Sequence, residues 1–281
     1  KKIEVLIIDH HHINHKLESD LNMINPMKNS KDYLEKNICA AALTFYLIHL
    51  INDKLKKKVN LYDSLFFALL GTICDLMPLR QSNKHITKIA LNKFNKIENV
   101  GIKQLLNFLS LKRSVSYTDI SYSLGPMINS PGRIKNANLS VELFCSTNLN
   151  KIKKIVEEIH LLNINRKKIE RSCINLINLK KYDKNNEVIF EVNQLFHEGI
   201  IGIIAGKLKD KFNRPAFVIT NSINFYKGSV RSTNEFKLNN LLNKLLDFKL
   251  IESGGGHNMA AGFIVKKEKL KKLKDFINKE Y

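Results

Sequence analysis

The chain has 281 residues, of which 44% are hydrophobic, enough for one large or two modest domains with hydrophobic cores. Because no apolar stretch approaches the roughly 20 residues of a transmembrane helix, we expect no membrane-spanning segment. The formal net charge of +20 favours a polyanionic, phosphate-bearing partner, although many of the lysines could be ordinary solvated surface.

The four cysteines lie far apart and form no CxxC pair, which argues against a zinc site and a disulfide framework. Cys39 and Cys74 lie in apolar stretches, and we expect both to be small core residues. This cysteine usage suits a reducing environment, so we expect a cytoplasmic protein.

The first predicted element is a short buried strand at residues 5–8, which stops at Asp9, His10 and His11. In open α/β sheets, ligands bind at the edge formed by the carboxyl ends of the strands. A carboxylate beside imidazoles suits a divalent metal such as Mn²⁺, Fe²⁺ or Zn²⁺. We therefore predict a metal or catalytic site here and give no role to the neighbouring His12 and His15.

Helical patterns follow at residues 39–55, 62–70, 83–94, 101–109 and 138–145. We expect Gly71 to end the second of these helices. Asp75 follows between apolar residues, where a buried carboxylate would need a metal, a cation or N–H donors. Capping of the next helix is the alternative role for Asp75.

Residues 124–133 are rich in glycine and proline and predict a shaped loop, in which Asn129 and Arg133 could contact phosphate. An ordinary turn with a surface arginine is the alternative. Residues 148–180 predict a long helix that bridges two domains, and a coiled-coil arm is the alternative there.

The last hundred residues predict a second α/β domain, because strands at 187–192, 216–220, 225–230 and 263–265 alternate with helices at 199–212 and 238–246. Near the end of one strand, Arg231 stands between the hydroxyl residues Ser229 and Ser232. A glycine-rich turn at 254–257 offers N–H groups that could form an anion nest. The two features together favour a phosphate or nucleotide cradle.

Six segments, taken in order, resemble the DHH phosphoesterase superfamily and, within it, the RecJ family of single-strand-specific 5′→3′ exonucleases. The segments are Asp9-His10-His11, GTICDLMPL at 71–79, LGPMINSPGR at 124–133, FHEGIIGIIA at 196–205, GSVRS at 228–232 and GGHNMAAG at 255–262.

The resemblance implies an α/β protein with three parts. These are a partial DHH-type parallel-sheet domain with many helices at 1–146, a linker helix at 147–180, and a DHH-associated C-terminal α/β domain at 181–281. His10 and Asp75 would ligate Mn²⁺, with Mg²⁺ as the alternative. His11 would contact the scissile phosphate, and Asp9 would support the metal shell or ligate directly. The implied substrate-binding residues are Asn129, Arg133, Ser229, Arg231, Ser232, Gly254, Gly255, Gly256 and His257.

The implied activity is two-metal hydrolysis of single-stranded DNA from its 5′ end in recombination and repair. We expect a monomer, with a helicase or a single-strand-binding protein as candidate repair partners. The family's Asp-x-Asp-Gly strand, a further metal aspartate and its oligonucleotide-binding fold have no counterpart here, and Met127 replaces a family arginine. We therefore expect an N-terminally truncated fragment that is inactive alone.

Two other functions stay open at this point. One is a DHH phosphodiesterase that acts on short oligoribonucleotides or cyclic dinucleotides. The other is a non-catalytic, nucleic-acid-binding DHH relative.

Overall fold

The computed structural model describes residues 3–11, 22–28, 35–56, 59–111, 115–183 and 187–281. The contacts divide the chain into two compact units, Lys1–Asn163 and Ile164–Tyr281. Helices and a mixed sheet confirm the predicted α/β class. Within the described ranges, no helix has both the length and the apolar character that crossing a bilayer requires.

The first unit is mainly helical. Strand β1 (Ile7–Ile8) pairs in parallel with β2 (Met23–Ile24). The helices are α1 (Ala40–Leu55), α2 (Leu61–Cys74), α3 (Gln81–Asn92), α4 (Val100–Phe108), α5 (Tyr117–Asp119), α6 (Gly125–Ile134) and α7 (Asn138–Cys145). A π-helical segment, Ile120–Leu124, joins α5 to α6, and α8 (Leu149–Asn175) extends across the boundary between the units.

Helix α2 lies at the centre of the first core, with Phe66, Leu69 and Ile73 almost completely buried. The predicted stop at Gly71 is wrong, because the helix continues to Cys74. A Cβ on Gly71 would lie 2.7 Å from the Cβ of Ala41, so the missing side chain lets α1 and α2 pack closely. This packing offsets the cost of about 1 kcal/mol for glycine inside a helix.

Two other predictions for this unit need correction. The predicted buried strand has only two residues in the β1–β2 pair, and Val5 and Leu6 are 60% and 53% exposed. Val5 and Leu6 precede the paired residues Ile7 and Ile8 and therefore lie outside the β1–β2 pair. Cys39 is buried as expected, but Cys74 is exposed because it lies at the last position of α2.

The predicted loop at 124–133 is a helix. Pro126 is the second residue of α6, where the helical backbone continues from the π-helical segment Ile120–Leu124. Pro131 lies inside the helix and leaves the carbonyl of Met127 without its usual donor. The hydroxyl of Ser130 donates to that carbonyl oxygen at 2.8 Å, which replaces the missing bond.

The second unit contains a five-stranded sheet in the order β3-β4-β5-β7-β6. The strands are β3 (Ile189–Val192), β4 (Ala216–Asn221), β5 (Tyr226–Arg231), β6 (Ser253–His257) and β7 (Ala260–Val265). β3 and β4 are parallel and joined through α9 (Ile201–Phe212), whereas the other neighbours are antiparallel. The remaining helices are α10 (Leu238–Asp247) and α11 (Leu270–Glu280).

The two faces of this sheet have different coverings. One face packs Phe217, Val230 and Phe263 against apolar residues of α10 and α11. Helix α9 packs against β4 and β5. The predicted glycine-rich turn is wrong, since Gly254, Gly255 and Gly256 belong to the edge strand β6 and the turn lies at residues 258–259.

Candidate functional site

In the first unit, the end of β1 brings a carboxylate and two imidazoles together. The N–H of Asp9 donates to the carbonyl of Ile24 at 3.0 Å, which continues the pairing of β1 with β2. His10 follows with its side chain only 11% exposed, and its Nδ1 lies 3.4 Å from the N–H of Ala40 at the start of α1. The strand end and the helix start therefore fix the position of the His10 ring.

Asp75 reaches the same region from the end of α2. The helix closes with a Schellman motif, in which the N–H of Met77 donates to Thr72 and that of Leu76 donates to Ile73. Leu76 adopts φ 54°, a left-handed conformation that normally favours glycine. Asp75 itself is the C-cap residue, so the predicted alternative of capping α3 does not apply, and α3 has Arg80 at its N-cap.

His10 Nε2 and Asp75 Oδ2 are 3.8 Å apart. Two ligand atoms that each lie about 2.1 Å from one ion can be separated by up to roughly 4 Å, so this spacing fits a shared divalent metal. The Asp75 side chain is 48% exposed and therefore open to an ion, rather than buried as predicted. A metal on Nε2 would leave the His10 proton on Nδ1, which could then no longer accept the N–H of Ala40.

Asp9 and His11 form a separate pair. His11 Nδ1 lies 2.6 Å from Asp9 Oδ1, a short hydrogen bond. Burial alone would raise the pKa of the Asp9 carboxyl. Hydrogen bonds from His11 and from the backbone N–H of His10 lower this pKa by more than burial raises it, so it lies below its ordinary value. In the neutral ring the proton on Nδ1 faces Asp9, which leaves Nε2 as the outward-facing atom.

Asn25 is a supporting residue that the sequence analysis did not identify. Its fully buried side chain donates to the carbonyl of His11 at 3.0 Å and accepts from the N–H of Met27 at 2.8 Å. These bonds fix the backbone that follows β1. The local signal was an asparagine before Pro26, which we interpreted only as a turn.

Asn129 and Arg133, predicted to contact phosphate, lie four residues apart on α6 and so share one face of that helix. Asn129 is exposed and Arg133 is half-buried. Both are in the first unit with Asp9, His10 and Asp75.

In the second unit, the strand register places the predicted substrate-binding residues in two parallel rows. Ser229 on β5 is opposite Gly262 on β7, which is opposite Gly255 on β6. Arg231 is opposite Ala260, which is opposite His257. Since paired residues in antiparallel strands point to the same face, these side chains share one surface.

The start of α9 borders this surface. A Cβ built on Gly202 would lie 3.1 Å from Ser229 Oγ and 3.5 Å from Arg231 Nη2. The first turn of a helix presents N–H groups without intrahelical partners and attracts anions. The segment before α9 is fixed by His197, whose Nδ1 accepts from the N–H of Gly199 at 3.1 Å. The sequence of residues 196–205 resembles a family motif but does not by itself indicate this role.

Arg231 is the most informative residue of this surface. Its guanidinium donates to the carbonyl of Val230 at 3.3 Å, and within the described ranges it forms no ion pair with a carboxylate. Burial lowers the pKa of Arg231, but an arginine stays charged at neutral pH. A half-buried cation with most of its five donors uncommitted favours an anionic ligand.

Close packing explains three glycines of this sheet, Gly228, Gly254 and Gly256, but it does not explain Gly255. A Cβ on Gly256 would lie 2.3 Å from the carbonyl oxygen of Ala260, and one on Gly228 would penetrate the ring of Phe263 at 2.1 Å. A Cβ on Gly254 would be 3.0 Å from Ile251. By contrast, a Cβ on Gly255 would meet nothing within 4 Å, so packing does not require glycine there.

Ser232 lies outside this cradle. It is fully buried, its hydroxyl donates to the carbonyl of Phe236 at 2.9 Å, and its N–H donates to Met259. These bonds fix the chain after β5, so we leave Ser232 out of the candidate ligand contacts. We define the anion cradle as Gly202, Ser229, Arg231, Gly255 and Gly262.

Comparison with known proteins identifies relatives of both units. Residues 185–281 match the model of the DHHA1 domain family. The chain is 28% identical to the single-stranded-DNA-specific exonuclease RecJ of Bacillus subtilis, over 98% of this chain and 35% of that protein. It is 27% identical to RecJ of Haemophilus influenzae, over 95% of this chain and 50% of that protein.

Solved structures agree on the fold. The crystal structure of RecJ from Thermus thermophilus in complex with Mn²⁺ matches with a TM-score of 0.80 and 23% identity, over 92% of this chain and 38% of that one. A crystal structure of exonuclease RecJ bound to manganese matches with a TM-score of 0.77 and 24% identity, over 98% of this chain and 68% of that one. The resemblance to RecJ is thus confirmed, and the chain spans about a third to a half of the curated relatives.

Proposed function

We propose, from the premise that this chain is homologous to the RecJ exonucleases and carries a DHHA1 domain at residues 185–281, that it serves in the hydrolysis of single-stranded DNA from the 5′ end. The observation that carries the proposal is Arg231, a half-buried cation without an ion-pair partner in the described ranges, beside the start of α9. Its setting suits a phosphate group of a nucleic acid strand.

In this proposal the anion cradle holds one nucleotide unit. The Arg231 guanidinium and the N–H of Gly202, in the first turn of α9, bind the phosphate, and the hydroxyl of Ser229 donates a further hydrogen bond. The open strip over Gly255 and Gly262 leaves room for the sugar or base, because no side chain projects there. His257 borders the strip from the neighbouring row of the sheet.

The first unit would supply the hydrolytic chemistry. His10 and Asp75 would hold a divalent cation, Mn²⁺ or Mg²⁺, as the relatives crystallised with these ions suggest. When bound, such an ion lowers the pKa of a water molecule and stabilises negative charge on a phosphoryl oxygen. Asp9 orients His11 through the 2.6 Å hydrogen bond to Nδ1. When the ring is doubly protonated, its Nε2–H would contact a phosphate oxygen or donate a proton to the leaving group.

The described donors at this site are few. Mn²⁺ and Mg²⁺ favour octahedral sites rich in oxygen ligands, whereas His10 and Asp75 supply two donors and Asp9 is committed to His11. We therefore expect weak metal binding by this chain and little nuclease activity when it is assayed alone. The proposal also includes a role in recombination and repair, a monomeric state, a cytoplasmic location and partners such as a helicase.

The test of the cradle compares binding of a 5′-phosphorylated single-stranded oligonucleotide by wild type, Arg231→Ala and Arg231→Lys over a range of salt concentrations. Loss of one phosphate contact lowers the slope of log affinity against log salt by about one unit. Arg231→Lys should restore part of the affinity, since it keeps the charge but not the planar donors.

The matched control is Lys272→Ala, which removes one exposed positive charge from α11 in the same unit. We expect the control to change affinity less than Arg231→Ala. Equal losses for both variants would mean that Arg231 contributes only general charge, and the proposed cradle would then be wrong.

A further inference from the structure

A cleft in the first unit is lined by residues other than Asp9, His10, His11 and Asp75. It has a volume of about 940 Å³, within the range of ligand pockets, and opens between the later half of α1, the start of α2 and the segment that precedes α4. Its principal lining residues are Phe45, His49, Leu61, Tyr62, Lys96 and Lys103.

The lining carries two lysines, Lys96 and Lys103, and one glutamate, Glu98, so its net charge is +1 and favours an anion. Lys96 Nζ lies 5.1 Å from the centre of the Tyr62 ring and 3.4 Å from its hydroxyl, and Lys103 projects from the first turn of α4. In the ranges that the structure covers, neither ammonium group forms an ion pair. The nearby Asp63 carboxylate accepts the N–H groups of Glu98 and Asn99 at 2.8 and 3.1 Å, which fixes its position in the first turn of α2.

The start of α2 adds to this field. Asn60 caps the helix by accepting the N–H of Tyr62 at 2.9 Å, while its amide donates to the carbonyl of Lys96. These two bonds fix the helix start against the segment that carries Lys96. The positive end of the α2 dipole therefore faces the same space as the two lysines.

The other wall of the cleft suits a flat ring. Phe45 and His49 lie one turn apart on α1 with their rings nearly parallel, 11° between planes and 6.4 Å between centres. Leu61 and Ile97 extend the apolar lining. A ligand that matches both walls has an aromatic ring and a phosphate at opposite ends.

We propose that this cleft binds an aromatic monophosphate of the size of a nucleoside 5′-phosphate. The phosphate is held by Lys96, Lys103 and the start of α2, and the ring packs against Phe45 and His49. This cleft belongs to the first unit and the anion cradle to the second, so neither proposal depends on the other.

The experiment uses the full chain with Arg231→Ala, so that binding at the cradle is weakened. Isothermal titration with deoxyadenosine 5′-monophosphate should show saturable binding. Lys96→Gln and Lys103→Gln should each weaken it at least tenfold, and the control Lys88→Gln, an exposed lysine on α3, should not. Circular dichroism checks that each variant is folded.

Two partial ligands separate the contribution of the phosphate to binding from that of the aromatic ring. Deoxyadenosine lacks the phosphate and deoxyribose 5-phosphate lacks the ring, so each should bind at least tenfold more weakly than the nucleotide. The inference is overturned if the Arg231→Ala chain binds no nucleotide, if Lys88→Gln weakens binding as much as Lys96→Gln, or if deoxyribose 5-phosphate binds as tightly. None of these results bears on the proposed function of the cradle.

Discussion

Gly255 and Gly256 are adjacent in β6 but have different reasons to be glycine. The Cβ of Gly255→Ala would enter open space, and the backbone there does not require positive φ. Alanine should raise the stability of the strand slightly, by about 0.5–1 kcal/mol, because it restricts the unfolded chain more than glycine. It should nevertheless weaken binding of a single-stranded oligonucleotide, because the new methyl group occupies the strip proposed for the nucleotide.

Gly256→Ala should have the opposite profile. Its Cβ would lie 2.3 Å from the oxygen of Ala260 and 2.5 Å from Cα of Ala261, and φ is +156°. Overpacking against backbone costs about 1–3 kcal/mol and a sparsely populated backbone conformation about as much again, so we expect a loss of roughly 3–5 kcal/mol.

Thermal unfolding followed by circular dichroism measures the stability of both variants, and anisotropy of a 3′-labelled oligonucleotide measures binding. We expect Gly255→Ala to melt at or slightly above the wild-type temperature and to bind at least tenfold more weakly, which is about 1.4 kcal/mol. If Gly255→Ala binds like wild type, the strip over Gly255 does not hold the ligand. If Gly255→Ala melts well below the wild-type temperature, the space above Gly255 is not open and this explanation is wrong.

Three other outcomes are expected. His10→Ala should weaken Mn²⁺ binding at least tenfold in electron paramagnetic resonance titrations, whereas His85→Ala on α3 should not, and equal losses would exclude His10 as a ligand. Leu76→Gly should raise the melting temperature through a gain of about 1 kcal/mol, since it relieves a left-handed conformation, and an unchanged or lower temperature would contradict this account. Hydrogen bonds from the side chain and N–H of Ser116 lower the pKa of Asp119 in the folded state. The ionised carboxylate therefore stabilises the fold above its unfolded pKa of about 3.9, and this stabilisation is lost as pH falls through the lower folded pKa. The pH dependence of melting between about pH 5 and 3 should therefore flatten in Asp119→Asn, and identical curves for both proteins would argue against the contribution.

The elements that could be predicted from the sequence are those with an uninterrupted local pattern. Helix Asn138–Cys145 has the predicted bounds, and Ala40–Leu55 begins one residue later than predicted. The final helix, Leu270–Glu280, was not predicted, although its buried residues Leu273 and Ile277 are four apart as in any amphipathic helix.

The errors occur where a specific contact, tertiary or within one helical turn, overrides the usual preference of a residue type. Gly71 does not end a helix because it touches Ala41, which is thirty residues away in the sequence. Pro131 does not break a helix because the neighbouring Ser130 hydroxyl replaces the lost hydrogen bond. Gly254 to Gly256 form a strand only because β7 follows and pairs with them.

The candidate site was predictable as a set of residues but not as an arrangement. The motifs named Asp9, His10 and Asp75, whereas the separation of His10 and Asp75, and the Asp9–His11 hydrogen bond, depend on how β1 and α2 meet. Likewise, Ser229 and Arg231 were identified, but their place beside the first turn of α9 required the packing of Gly202.

A crystal structure of the chain with a 5′-phosphorylated single-stranded trinucleotide would test the central claim most directly. We predict a phosphate within hydrogen-bonding distance of the Arg231 guanidinium and Ser229 Oγ at the start of α9, with the rest of that nucleotide over Gly255 and Gly262. A trinucleotide bound elsewhere, with no phosphate at Arg231, would contradict the account.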